Sequence, residues 1–182
     1  MKKVLVFIEN GFEEVEALAP VDLLRRAGAH VVMATGVANK TIVGRNQITI
    51  VCDNTYEEIR NENFDMVVVP GGKGCVDALQ ENSFALDLLK KYYNDKKWVA
   101  AICAAPLVLK RAGVLNNQSI TSYPSNKPDL DQITNYLENR VVIDGNLITS
   151  RGPGTAVEFA LALVEKLFGP EKAAEIKTQV VG

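Results

Sequence analysis

The sequence predicts an α/β fold in which a mostly parallel sheet carries helices on both faces. Three observations lead there. Short β-rich runs alternate with longer helical patterns, the order that crossover connections between parallel strands produce. Only two stretches carry hairpin signals. A length of 182 residues with 47% hydrophobic and 23% charged content suits one domain, residues 1–182, on a continuous core.

In chain order, "KKVLVFI" predicts the first strand, "EEVEALAPVDLLRRAG" the first helix and "HVVMAT" the second strand. The segment "TIVGRNQITIVC" predicts a hairpin with arms Thr41 to Val43 and Ile48 to Val51 and a turn from Gly44 to Gln47. A strand over "FDMVVVPGG", a helix over "ENSFALDLLKKYYNDK", a strand over "WVAAIC" and a helix over "PLVLKRAGVL" follow. That last helix can begin near Pro106, since proline suits a helix's first turn. The polar stretch "PSNKPDLDQITN" is expected to be a mobile loop. In "RVVIDGNLITS" the pair Asp144-Gly145 is the commonest two-residue hairpin signal. The helix "GTAVEFALALVEKLFG" has a threonine cap and stops at Gly169 before Pro170.

Composition excludes several classes. A formal net charge of -2 with interspersed charges leaves no basic stripe, so no nucleic-acid partner is expected, and a small neutral or anionic ligand fits better. The apolar run Val4 to Ile8 is too short for a signal peptide, and no other run approaches membrane-spanning length. Cys52, Cys75 and Cys103 are an odd number without metal-ligand spacing. Free thiols, a reducing cytoplasmic compartment and no metal or other cofactor are therefore expected.

In open α/β sheets ligands collect at the carboxyl ends of the strands. There the chain should bring together "ENGFEE", "PGGKG" and Cys103. The cysteine ends a strand and precedes a helix, and Ala101, Ala104 and Ala105 give the small neighbours that a sharp nucleophile elbow needs. A thiol of ordinary pKa, roughly 8.5, is only about 3% thiolate at pH 7, and two units of depression need roughly 2.7 kcal/mol. The following helix N-terminus alone is too weak for that.

A second contributor comes from the first helix. Between Val15 and Leu24 the only ionisable residues are Glu16 and Asp22, so the helix is apolar almost all round. A buried Glu16 can hold its proton and donate a hydrogen bond to a thiolate, whereas Asp22 needs a cation, such as an arginine across a subunit interface. Glycines in "VVVPGGKG" allow backbone N–H groups close to a bound oxygen, but Asp77 stands where a dinucleotide fingerprint needs its third glycine. His30, the only histidine, starts its strand at the edge opposite Cys103, so peptidase chemistry of the papain type lacks its base. His30, Cys52 and Cys75 are assigned to structure.

The stretches "GFEEVEALAPVDLLRRAG", "DMVVVPGG", "AAICAAP" and "ENRVVIDGNLITSRGPGTAVEFAL", in this order and spacing, resemble the ThiJ/PfpI family of the class I glutamine amidotransferase-like superfamily nearly end to end. The subgroup is that of the Parkinson-disease protein deglycase and its bacterial relatives. The resemblance implies a flavodoxin-like three-layer α/β/α sandwich, usually a homodimer, with Cys103 as the reactive cysteine and Glu16 bonded to its sulfur. It places the backbone of Gly71, Gly72 and Ala104 in an oxyanion pocket, Arg45 near the pocket and dimer interface as a cation for Asp22, and Ser150 and Pro153 at the pocket rim. Tyr123 stands where a family histidine precedes a loop proline, and Ala104 where a protease-like branch has a histidine, so Glu16, water or Tyr123 is left to shuttle protons. The implied activity is cysteine-dependent and cofactor-independent, on small reactive carbonyl compounds, α-oxoaldehydes or the proteins they modify, of the glyoxalase or deglycase type. The alternative is an oxidative-stress sensor or redox-regulated chaperone using Cys103 oxidation. A role in thiazole monophosphate biosynthesis finds no phosphate loop, although "RGPGT" before a helix can hold an anion.

Overall fold

A computed structural model describes residues 1–182, and at its centre lies the first strand, β1 (Lys3–Phe7), buried from Val4 onward. Such an aliphatic run is stable only with both sheet faces covered. The chain covers them by crossing over. From β1, α1 (Glu14–Arg26) leads to β2 (His30–Thr35), parallel to β1 with His30 opposite Lys3. A hairpin of β3 (Thr41–Val43) and β4 (Thr49–Val51) and the short β5 (Asn54–Thr55) come next, then β6 (Met66–Val69) on the other side of β1. After these come α2 (Lys73–Gln80), α3 (Ser83–Asn94), β7 (Trp98–Ile102), α4 (Pro106–Arg111), β8 (Ser119–Ile120), α5 (Lys127–Leu130) and β9 (Asn135–Tyr136). The chain ends with β10 (Val141–Asp144), β11 (Leu147–Ser150), α6 (Ala156–Phe168) and α7 (Pro170–Gln179).

The main sheet has the order β10-β11-β7-β6-β1-β2-β5 and is parallel except at β10. On one side α1 packs against α6, whose buried Phe159, Leu163 and Leu167 recur at helical spacing; on the other, α2, α3 and α4 pack together. This is the flavodoxin-like α/β sandwich expected. Because β1, β6 and β7 run parallel, their carboxyl ends open on one edge, which is where the loop before α1, the glycines before α2 and Cys103 meet. No helix is long and apolar enough to cross a membrane.

The differences from expectation are local. The two-residue turn of the second hairpin is Gly145-Asn146, because Asp144 pairs with Leu147 and its carboxylate accepts the Ser119 N–H at 2.7 Å. The stretch "PSNKPDLDQITN" is structured: it forms a 3₁₀ turn over Pro124–Asn126, then α5 with Leu130 wholly buried, and ends at β9, paired with β8. Thr155 makes no side-chain cap on α6, because its hydroxyl closes the turn Pro153–Thr155 onto Gly152 and Ser150. With its hydroxyl so engaged, "RGPGT" leaves no threonine donor for an anion. The helices α2 and α7 are additions to the pattern; α7 buries only Ile176.

Candidate active site

Cys103 follows β7 directly and takes φ 66°, in the left-handed region that costs a non-glycine residue about 1–2 kcal/mol. Two backbone bonds hold it there: its N–H donates to the Ser150 carbonyl at 3.0 Å, and its carbonyl accepts the Tyr123 N–H at 2.8 Å. This elbow turns the sulfur onto the floor of a cleft of about 720 Å³ at the strand ends. Only 9% of the residue is exposed.

Glu16, in the first turn of α1, lies wholly buried beneath the sulfur. Its Oε2 accepts the Gly71 N–H at 2.9 Å, and its Oε1 has no partner. Gly71 has to be glycine for this approach: a Cβ there would lie 2.4 Å from Glu16 Oε2 and 2.7 Å from the Cys103 Cβ. Burial lifts the Glu16 carboxyl to about 7, against the lowering by the thiol and by the Gly71 N–H. Burial also pushes the Cys103 thiol well above its ordinary range; the Glu16 carboxylate pushes it further, and the Ala104 N–H pulls it back only in part. Burial thus favours the protonated form of both groups, and the two lie side by side so that a proton can pass between sulfur and carboxyl.

Above the sulfur, the N–H groups of Gly72 and Ala104 donate to no other backbone or side-chain acceptor, apart from the sulfur beside Ala104. The Gly72 N–H is free for an oxygen bound in the cleft, and the Ala104 N–H, now on the sulfur, can be shared with one. Gly72 has φ 91°, and a Cβ there would lie 2.3 Å from the Gly11 carbonyl oxygen. Gly71 departs from its expected place among the oxyanion donors, since its N–H is spent on Glu16. The opposite wall carries Tyr123, 46% exposed, with Ser125, Asn126 and Pro153. No group of three or more His, Cys, Asp or Glu side chains is placed to hold a metal ion.

Two further assignments are corrected. Asp22 is exposed and pairs with Arg26 one turn on at 3.0 Å, so its cation is local. Arg45 belongs to the cleft, where its Nη1 lies 3.7 Å from Glu13 Oε2. Ser150 is buried behind the rim, its hydroxyl bonded to the Arg140 carbonyl and to Thr155, and reaches the site only through its backbone carbonyl. His30 is exposed at the far edge. Cys52 and Cys75 are buried thiols pushed up to about 12 by burial, as inert core cysteines are. The functional candidates that the sequence pattern passed over are Glu13 and Asn126. Glu13 carried a usable signal, for it is a carboxylate of the "ENGFEE" loop that the sheet brings to the strand-exit edge.

Comparison with known proteins places this geometry. The model of the DJ-1/PfpI family matches residues 2–166. Protein dj-1beta of Drosophila melanogaster is 43% identical over 176 residues, covering 96% of this chain and 94% of its own length. The glutathione-independent glyoxalase DJR-1.2 of Caenorhabditis elegans is 37% identical over 160 residues, covering 88% of this chain and 85% of its own. The crystal structure of Drosophila melanogaster DJ-1beta superposes with a TM-score of 0.96 at 42% identity, over 99% of this chain and 97% of that one.

Proposed function

The chain belongs to the DJ-1/PfpI family, and from that premise we propose that it is a cysteine-dependent, cofactor-independent stress-response enzyme acting on reactive α-oxoaldehydes or their protein adducts. One observation carries the reading: a cysteine at a strained elbow has a proton acceptor, Glu16, beneath it and two N–H groups, of Gly72 and Ala104, that donate to no protein oxygen. The glyoxalase name of the Caenorhabditis elegans relative supports the substrate class. As the sulfur adds to the aldehyde carbon, its proton passes to Glu16 and the carbonyl oxygen takes up charge toward the two N–H groups. Donors fixed in advance in this way contribute about 10²–10³-fold each where they have been removed from other enzymes. The hemithioacetal isomerises to a thioester, which water cleaves to a hydroxy acid. The reading includes a homodimer, supported by apolar Val15, Ile48 and Val51 left exposed on α1 and the first hairpin.

Purified protein should convert methylglyoxal to lactate without added metal or glutathione, and Cys103→Ala should abolish the conversion. Undiminished turnover by Cys103→Ala sinks the proposal. A wild type that turns nothing over but oxidises selectively at Cys103 under mild peroxide would be a sensor instead.

A further inference from the structure

Between hemithioacetal and thioester a proton leaves one carbon and returns to the next, and the group that carries it has to face the cleft. Resting on the glyoxalase reading above, we propose that Glu13 is the general base and acid for this carbon-to-carbon transfer.

The other polar groups fail on position or chemistry. Glu16 is closed off beneath the sulfur and does not line the cleft. A guanidinium such as that of Arg45 accepts no proton, and a phenol such as that of Tyr123 is a weak base at neutral pH. Lys73 and Asp77 pair with each other on the rim, with side chains 85% and 54% exposed. Glu13 differs on each point. It lines the cleft with its side chain only 11% exposed. It is the N-cap residue of α1, yet its carboxylate makes no capping bond. Instead Oε1 accepts from Asn46 Nδ2 at 3.2 Å, while Oε2 lies 3.7 Å from Arg45 Nη1, too far for a direct hydrogen bond, and so keeps lone pairs for the cleft. Its backbone is fixed by an N–H bond to the Gly71 carbonyl at 3.1 Å. A desolvated carboxylate oriented from behind is what a general base needs.

The step balances without an oxidant. Solvent protonates the adduct oxygen to the hemithioacetal hydroxyl while Glu16 holds the thiol proton; Glu13 removes the hydrogen from the sulfur-bearing carbon, the C–H electron pair becomes a carbon–carbon double bond, and the neighbouring ketone becomes an enediolate oxygen. Protonated Glu13 then returns the proton to that neighbouring carbon. The hydroxyl on the sulfur-bearing carbon loses its proton to the enediolate oxygen and becomes the thioester carbonyl. Water cleaves the C–S bond, the acid leaves, and the thiol recovers its proton.

The groups facing Glu13 are Arg45 from the hairpin, Glu16 and Cys103 from below, and Lys73 and Asp77 across the cleft; the Glu14 carboxylate is turned to the hairpin. Methylglyoxal is the probe, with wild type, Cys103→Ala, Glu13→Gln and Glu13→Asp. Glu13→Gln should still form the Cys103 adduct, seen by mass spectrometry of quenched protein, while kcat falls about 10²–10⁴-fold. KM should change less, and Glu13→Asp should recover part of the rate. Glu13→Gln turnover within about threefold of wild type, or loss of the adduct along with turnover in both Glu13 variants, overturns the proposal. A wild type without turnover removes the glyoxalase reading and this proposal with it.

Discussion

Position 71 tests the packing of the site with the smallest possible change. A methyl group at Gly71 would lie 2.4 Å from Glu16 Oε2, 2.7 Å from the Cys103 Cβ and 3.1 Å from its Sγ. The Gly71 backbone is outside the left-handed region, so alanine is opposed by these contacts alone. Neither neighbour yields cheaply. Glu16 is wholly buried and anchored on the Gly71 N–H, and the Cys103 Cβ belongs to an elbow fixed by two backbone bonds. Alanine must displace the carboxylate from a hydrogen bond worth about 1.5–3 kcal/mol, and overpack the elbow at about 1–3 kcal/mol. Gly71→Ala should thus lose about 3–5 kcal/mol, which lowers the melting temperature of a chain this long by about 10 °C. Calorimetry beside Gly154→Ala is the assay, because a Cβ at Gly154 meets nothing within 4 Å. Melting of Gly71→Ala within about 2 °C of that control would refute the close-approach argument.

Two pH effects follow from the carboxylates of α1. Glu16 is raised from an ordinary 4.5 to about 7 in the folded protein, so the stability it adds is complete below pH 4.5 and is lost as pH rises through 7, about 3 kcal/mol in all. Denaturant unfolding from pH 4 to 8 should show Glu16→Gln without that decline; parallel curves for the two proteins would count against it. Glu14 behaves oppositely. Burial pushes its carboxyl up, but bonds from its own N–H, the Asn46 side chain and the N–H groups of Asn46 and Ile48 outweigh this and hold it below its usual range. Its stabilisation is therefore present above pH 4.5 and lost as pH falls through the lowered value. Glu14→Gln should cost about 1–3 kcal/mol at pH 7, since one oxygen cannot serve both the Asn46 N–H at 2.7 Å and its Nδ2 at 2.8 Å, and that cost should shrink in acid.

The features legible in the sequence are those set by neighbours along the chain. The elbow follows from a strand, a cysteine, two alanines and a proline in sequence, and the burial of Glu16 from the apolar run around it. Asp22 shows where periodicity misleads. The run suggests that both carboxylates are buried, yet Val15 is half exposed on the same turn-spaced face, and Arg26, four residues on, already supplies the cation. Gly71 was recognisable as a residue permitting close approach, but the direction of its N–H is set by how β6 ends, which residue type does not encode. The same holds for the thiol. Its raised pKa comes first from burial, which depends on what α1 and α2 stack around it rather than on the residues beside it. Strands as short as β5, β8 and β9 exist only through their partners' register.

The two walls of the cleft differ in their tolerance of mutation. Any side chain at Gly71 or Gly72 would collide with the carboxylate or with the Gly11 carbonyl, so that wall is closed to variation. The facing side chains of Tyr123, Ser125 and Asn126 make no hydrogen bonds that hold the fold, and they can change without unseating the cysteine. A library that randomises only these three positions should therefore alter which carbonyl compounds enter while leaving the reacting groups in register, which makes this segment the place to begin redirecting the protein toward bulkier substrates.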